Sequence, residues 1–143
     1  MNKISVIDLF AGPGGLAEGF SSVIKNDQRV FKIKISIEMN TEAHKTLLLR
    51  SFCRQFDPNN LPDEYYEVIQ AKSVIKRTEK INQLYEKYPD ESKAAKNEAW
   101  QCELGSKDYP PEIVDYKISK ALEGESEWVL IGGPPCQAYS LAG

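Results

Sequence analysis

One histidine and three cysteines are all that this 143-residue chain offers toward metal or disulfide chemistry. The cysteines, Cys53, Cys102 and Cys136, are odd in number and irregularly spaced, with no C-x-x-C pair. Neither a disulfide framework nor a zinc site is expected, and His44 is expected on a helix surface. No apolar run approaches the ~20 residues of a membrane helix. The N-terminus, MNKISVIDLF, lacks the apolar stretch and cleavage site of a signal peptide. A reducing, cytoplasmic setting with no membrane partner follows as the expectation. No Gly-Lys-Ser/Thr follows a glycine turn, which excludes a P-loop. An excess of basic residues is missing too. The net charge is −3, which argues against this segment alone gripping a phosphate backbone, because that affinity comes mainly from Lys and Arg.

What is present suits one globular domain, 41% hydrophobic and 27% charged. Residues 3–10, KISVIDLF, read as a buried strand ending in a glycine turn. LAEGFSSVIK follows, with Leu16, Phe20, Val23 and Ile24 spaced as one helical face. Residues 31–38, FKIKISIE, alternate as a second strand, so the opening is β-α-β and the fold class α/β with a parallel sheet. A helix is expected from about Thr41, as its cap, to Phe52, with Ala43, Leu47 and Leu48 inward. Residues 55–125 are rich in Lys, Glu, Asp and Tyr and read as a charged helical insertion. Pro62-Asp63-Glu64 suits a helix start, and an imperfect apolar stripe (Val68, Ile69, Ile75, Ile81, Leu84, Tyr85) runs to Pro89. A second helix is expected over Ser92–Leu104, ended by Gly105. A third begins at Pro110-Pro111, with Val114, Ile118, Ala121 and Leu122 on one face. Trp128–Ile131 reads as a last buried strand before Gly132-Gly133-Pro134-Pro135.

Two segments carry chemistry. Gly12-Pro13-Gly14-Gly15-Leu16-Ala17 fits G-x-G-x-x-A between a strand and a helix, where a missing Cβ lets the backbone approach a ligand. The helix start offers free N–H groups to it. Glu38, at the end of the second strand, stands where an acid accepts hydrogen bonds from ribose hydroxyls. An adenosine-containing ligand is implied: NAD, FAD and S-adenosylmethionine all fit. The second segment, Gly132-Gly133-Pro134-Pro135-Cys136-Gln137, lies after a buried strand, at the sheet edge where ligands bind in open α/β folds. Prolines stiffen the loop that presents Cys136, as nucleophilic catalysis requires. Cys53 and Cys102 lack such a setting and read as small buried hydrophobes.

DLFAGPGGLAEGF (8–20), SIEMN (36–40) and GGPPCQAYS (132–140) resemble, in order, the cofactor loop, ribose-binding strand end and catalytic loop of the cytosine-C5 DNA methyltransferases. The resemblance covers about a fifth of the chain. It implies a Rossmann-like S-adenosylmethionine-dependent fold, here incomplete, with four of the family's seven strands. Phe10, Ala11, Gly12, Gly14, Gly15 and Leu16 would cradle S-adenosylmethionine, Glu38 would hold its ribose, Met39 would pack on the adenine, and Pro134 would approach the methyl donor. Cys136 would attack C6 of a flipped cytosine, with Pro135, Gln137 and Ser140 contacting the substrate. Tyr139 stands where many members have Phe. The family's adenine-contacting Asp has no clear match, Asp108 being the candidate. Its later glutamate, target-recognition domain and last cofactor-contacting helix do not follow. The resemblance therefore implies the N-terminal part of a restriction–modification enzyme, inactive alone, that meets double-stranded DNA through the missing part or a complementary C-terminal polypeptide. Transfer-RNA methylation, an NAD-dependent oxidoreductase domain and a non-catalytic scaffold stand as alternatives.

Overall fold

The computed structural model describes residues 3–135. Strand β1 (Ile4–Leu9) leads through the glycine turn into helix α1 (Gly15–Ser21). A two-residue hairpin, β2 (Ile24–Lys25) and β3 (Gln28–Arg29), precedes β4 (Phe31–Glu38). Helix α2 (Thr41–Cys53) is followed by α3 (Asp63–Gln70), α4 (Val74–Lys87) and α5 (Pro89–Glu98). Strand β5 (Ala99–Gln101), helix α6 (Pro111–Ala121) and β6 (Trp128–Gly132) complete the described elements. The main sheet has order β5-β4-β1-β6, with every neighbouring pair parallel. This is the mixed α/β, parallel-sheet architecture that the opening β-α-β pattern requires. It is consistent with a Rossmann-like methyltransferase fold.

Successive residues of β1 face opposite layers. Val6 packs with Ala17, Ile33 and Phe20 beneath α1, while Ile7 packs with Ile35, Ile37 and Val114 beneath α6. The regular alternation of β4 is interrupted. Val6 pairs with Ile33 but Ile7 with Ile35, so a bulge at Lys34 moves the later isoleucines to the other layer. Ser36 is also fully buried, because a parallel sheet is covered on both faces.

Several local expectations are corrected. Strand β6, expected to be buried, exposes Trp128 and Leu130, because it is an edge strand with one face uncovered among the described residues. Helix α1 stops at Ser21, and Val23 and Ile24 are exposed rather than inward. Asn26 and Asp27, both at positive φ, make a tight turn whose hairpin draws Ile24 out of the helix. Helix α2 is capped by Asn40, whose side chain accepts from the Glu42 and Ala43 amides, while Thr41 accepts from Gln101. The stripe from Pro62 to Pro89 is two helices broken at Ala71–Ser73, with Val68 and Leu84 buried but Ile69 and Ile75 exposed.

The helix expected over Ser92–Leu104 ends at Glu98, and Ala99–Gln101 joins the sheet beside Ser36–Glu38. Residues 55–125 are thus not one insertion. Only the part before Ala99 is a purely helical unit, whereas β5 and α6 belong to the sheet and its covering layer. Helix α6 itself is as expected: Val114 is buried, and Ile118, Ala121 and Leu122 pack on the sheet. His44 is half-buried rather than on the surface, with Nε2 at 3.1 Å from the Ala99 carbonyl, tying α2 to β5.

Candidate cofactor pocket and glycine turn

The turn after β1 is shaped by backbone conformations that few residues tolerate. Phe10, Gly12 and Gly14 have φ of 55°, 57° and 89°. Positive φ at a non-glycine residue such as Phe10 is uncommon, and such conformations cluster at ligand sites. At Gly14 a Cβ would also lie 2.8 Å from Leu47 Cδ1, so α2 packs directly on the turn. Arg50, one helical turn further along α2, donates from Nη1 to the Pro13 carbonyl at 2.9 Å. Glu38 closes the other side. Its carboxylate accepts from the Gly12 amide and the Asn40 amide, each at 2.7 Å. One side chain thereby ties the end of β4 to the glycine turn, and its oxygens keep lone pairs for further donors.

A cavity of about 330 Å³ opens at the carboxyl ends of the strands. Its walls are Phe10 and Gly12 from the β1 turn, Ile37, Glu38 and Met39 from β4, Cys102 and Leu104 after β5, and Gly133 and Pro135 after β6. That volume is within the usual range for small-molecule sites, roughly 300–1,000 Å³. A mostly apolar wall with one carboxylate suits a flat base attached to a hydroxylated sugar.

Of the expected cofactor residues, Phe10, Gly12, Glu38 and Met39 line this cavity, and so does Pro135, expected at the substrate. Ala11, Gly14, Gly15, Leu16 and Pro134 are not among its walls. Ala11 is buried, its amide bonded to the Ile37 carbonyl, and Leu16 is exposed on α1. Cys136, Gln137 and Ser140 lie outside the described residues.

Sequence reasoning missed Ile37, Cys102, Leu104 and Gly133. The signal for Ile37 and Gly133 was present, since they adjoin Glu38 and Pro134. Cys102 and Leu104 became legible only once β5 was found. Asp108 is exposed in the following loop and does not line the cavity, so the wall beside β5 holds a thiol and a leucine instead of an acid. Gly132 is needed where β6 meets β1, because a Cβ there would lie 2.4 Å from the Leu9 carbonyl oxygen.

Two groups under the turn have unusual electrostatics. Asp8 is fully buried, and neither carboxylate oxygen has a hydrogen-bond partner among the described residues. Burial pushes its pKa from the ordinary 3.8 to about 6, partly opposed by Arg54 and assisted by Glu38. Arg54, whose own side chain is buried, is the hub of a network reaching from buried Glu98 to exposed Glu18. It donates from Nε and Nη2 to Glu98 at 2.9 and 2.6 Å, and from Nη1 to Glu18 at 2.8 Å. Helices α1, α2 and α5 are thereby locked beneath the turn. The two cysteines with no catalytic setting are poor nucleophiles: burial raises the Cys53 thiol to about 11 and raises that of Cys102.

No family model matches the chain, and no solved structure matches it. Among curated proteins, it is 31% identical over 147 aligned positions to Type II methyltransferase M.Bpa9945I of Bacillus paralicheniformis. The likeness covers 96% of this chain and 32% of the relative. It supports a methyltransferase family for these residues, and the chain spans about a third of the length of the curated relative it matches.

Proposed function

We propose that this chain is the cofactor-binding and nucleophile-bearing part of a DNA (cytosine-5-)-methyltransferase that uses S-adenosylmethionine, in the setting of a restriction–modification system. One observation carries the reading: the glycine turn, the end of β4 and the Gly-Gly-Pro-Pro segment, from opposite ends of the chain, wall one pocket. Cys136 follows Pro135 directly in sequence. The methyltransferase relative supports the same reading.

The pocket fits the cofactor. Phe10, Met39, Ile37 and Leu104 provide apolar surface for the adenine. Glu38, already fixed by two amides, offers its remaining lone pairs to the ribose hydroxyls. The cofactor, when bound, supplies an electrophilic methyl group. The remaining chemistry belongs to the chain and the base. The Cys136 thiolate adds to C6 of a cytosine rotated out of the helix, forming a C–S bond. Ring electrons shift so that C5 becomes nucleophilic and is alkylated. Loss of the C5 proton to a solvent base then expels the thiolate and restores the ring. Rotation is required because a stacked base hides both faces. The outer edge of β6 pairs with no strand among the described residues. That edge is where a complementary polypeptide would add its first strand.

Isothermal titration with S-adenosylhomocysteine and with NAD separates the readings at once. S-adenosylhomocysteine is expected to bind and NAD not to. With S-adenosylmethionine and a complementary C-terminal polypeptide supplied, a duplex containing 5-fluorocytosine is expected to trap a denaturation-resistant adduct that Cys136→Ser abolishes, whereas this chain alone is expected to trap none. Binding of NAD alone would make this an oxidoreductase domain, and trapping on transfer RNA but not DNA would move the substrate.

A further inference from the structure

The tip of the α3–α4 hairpin has a surface unlike the rest of the molecule. Val74 and Ile75 are exposed at 77% and 74%, more than any other exposed large hydrophobic residue of the described chain. Ile69 and Tyr66 on the preceding helix are exposed as well. Packing explains none of this: Val68 and Leu84 of the same hairpin are buried in its core. Around the apolar pair stand Lys72, Lys76 and Arg77, all exposed. None of the three forms an ion pair within the described residues, whereas Lys80 is paired with Glu67 at 2.6 Å. Residues 70–80 hold four cations against the single carboxylate of Glu79, in a chain whose net charge is −3. The tip also has defined local structure. Ser73 caps α4 by accepting from the Lys76 amide, and Arg77 donates to the Ala71 carbonyl.

We propose that this tip binds the phosphate backbone of duplex DNA, with Lys72, Lys76 and Arg77 on phosphates and Val74 and Ile75 against the sugars lining the adjacent groove. The choice of DNA among polyanions rests on the methyltransferase reading above; the cationic, apolar surface does not. Charge complementarity is concentrated here because the remainder of the chain is acidic, so electrostatic steering orients the molecule tip first. A membrane surface is a poorer fit. Ile81, Leu84 and Tyr85 of α4 are turned into the hairpin core, which leaves no continuous apolar face for insertion. Charge reading of the whole sequence missed this surface because the net value averages it away.

Fluorescence anisotropy of the whole 143-residue chain with a labelled duplex tests the proposal. Three phosphate contacts predict a log–log salt slope of about 2.7, a weakening of roughly 40-fold between about 50 and 200 mM KCl. Lys76→Glu with Arg77→Glu is expected to weaken binding at least tenfold at low salt and to cut the slope to about one contact. Val74→Ser with Ile75→Ser is expected to weaken binding with the slope unchanged. All these side chains are exposed, and circular dichroism with the melting temperature checks that the variants fold. Absent duplex binding by the wild type, binding indifferent to the charge reversals, or equal affinity for polyglutamate or phosphatidylserine vesicles would overturn the proposal. S-adenosylhomocysteine titration of the same samples keeps the two readings apart. Its failure with tip-dependent DNA binding intact sinks the methyltransferase assignment, and the reverse pattern sinks only the tip.

Discussion

The sheet half of the molecule and its helical appendage solve different problems. In the sheet half, chemistry-bearing groups lie over short contacts to backbone: Glu38 on the Gly12 amide, Arg50 on the Pro13 carbonyl, Gly132 against Leu9. In the appendage, α3, α4 and α5 surround an aromatic cluster. There Phe52 lies 5.1 Å from both Phe56 and Tyr85, and Phe56 meets Tyr88 edge-on. One region spends stability on conformation, holding positive φ and a buried carboxylate with no partner among the described residues. The other gains it from apolar burial, and Phe52, on α2, joins the two. Positive φ at a bulky residue, Phe10, falls at the pocket, and the aromatic cluster sits beside it.

The comparison can be broken at its joint. Phe52→Ala removes a fully buried ring and is expected to cost about 3–5 kcal/mol, read from urea denaturation. Helical signal should fall first, with S-adenosylhomocysteine affinity lost only as α2 loosens. A result in which the pocket fails before the helices would reverse the assignment of roles.

Asp8→Asn works in the opposite direction. The native pKa lies above the ordinary 3.8, at about 6, so the folded state holds the proton more tightly than the unfolded chain does. The stabilising effect of that protonation is fully present below the unfolded value and is lost as pH rises through the native one. Above about pH 7 the ionised, buried carboxylate costs on the order of 2–3 kcal/mol. Asp8→Asn is expected to recover much of this at about pH 7.5 and little at about pH 4, as melting temperatures across that range would show. An unchanged difference at both pH values would mean that Asp8 has a partner in solution.

Gly14→Ala places a methyl group 2.8 Å from Leu47 Cδ1 at a φ of 89°. Overpacking and backbone strain together predict a loss of about 1–3 kcal/mol, with cofactor binding weakened beyond what the stability loss explains. Gly15→Ala meets no protein atom within 4 Å and serves as the control for the stability loss alone. The smallest effect is expected at Arg50. Arg50→Ala removes a charge-assisted bond to Pro13 and should weaken S-adenosylhomocysteine binding about fivefold to tenfold, with Arg50→Lys intermediate and the melting temperature nearly unchanged.

Legibility followed the range of the interactions. The strand before the glycine turn, the alternating strand at 31–38 and the amphipathic stripe of α6 each announce themselves through local periodicity, and each is present. Beta strand Ala99–Gln101 gave no such signal. Three residues following an alanine-bearing helix carry no period, and they become a strand because Ser36–Glu38 offers a free edge. The same miss displaced the sought adenine contact to Asp108, when the wall after β5 is Cys102 and Leu104. Glu38 was legible as the acid at the end of β4, and it lines the cavity. Its bond to the Gly12 amide was not legible, because it joins residues far apart in sequence.

By itself the sequence determined the parallel α/β class, the glycine turn and the acid at the end of β4, because backbone sterics and hydrophobic periodicity act over a few residues. Only the tertiary structure decided which residues share the pocket, that Asp8 is buried without a partner among the described residues, and that the basic tip of α4 stands clear of the core. Those outcomes depend on which segments exclude water from one another, and no local pattern records that.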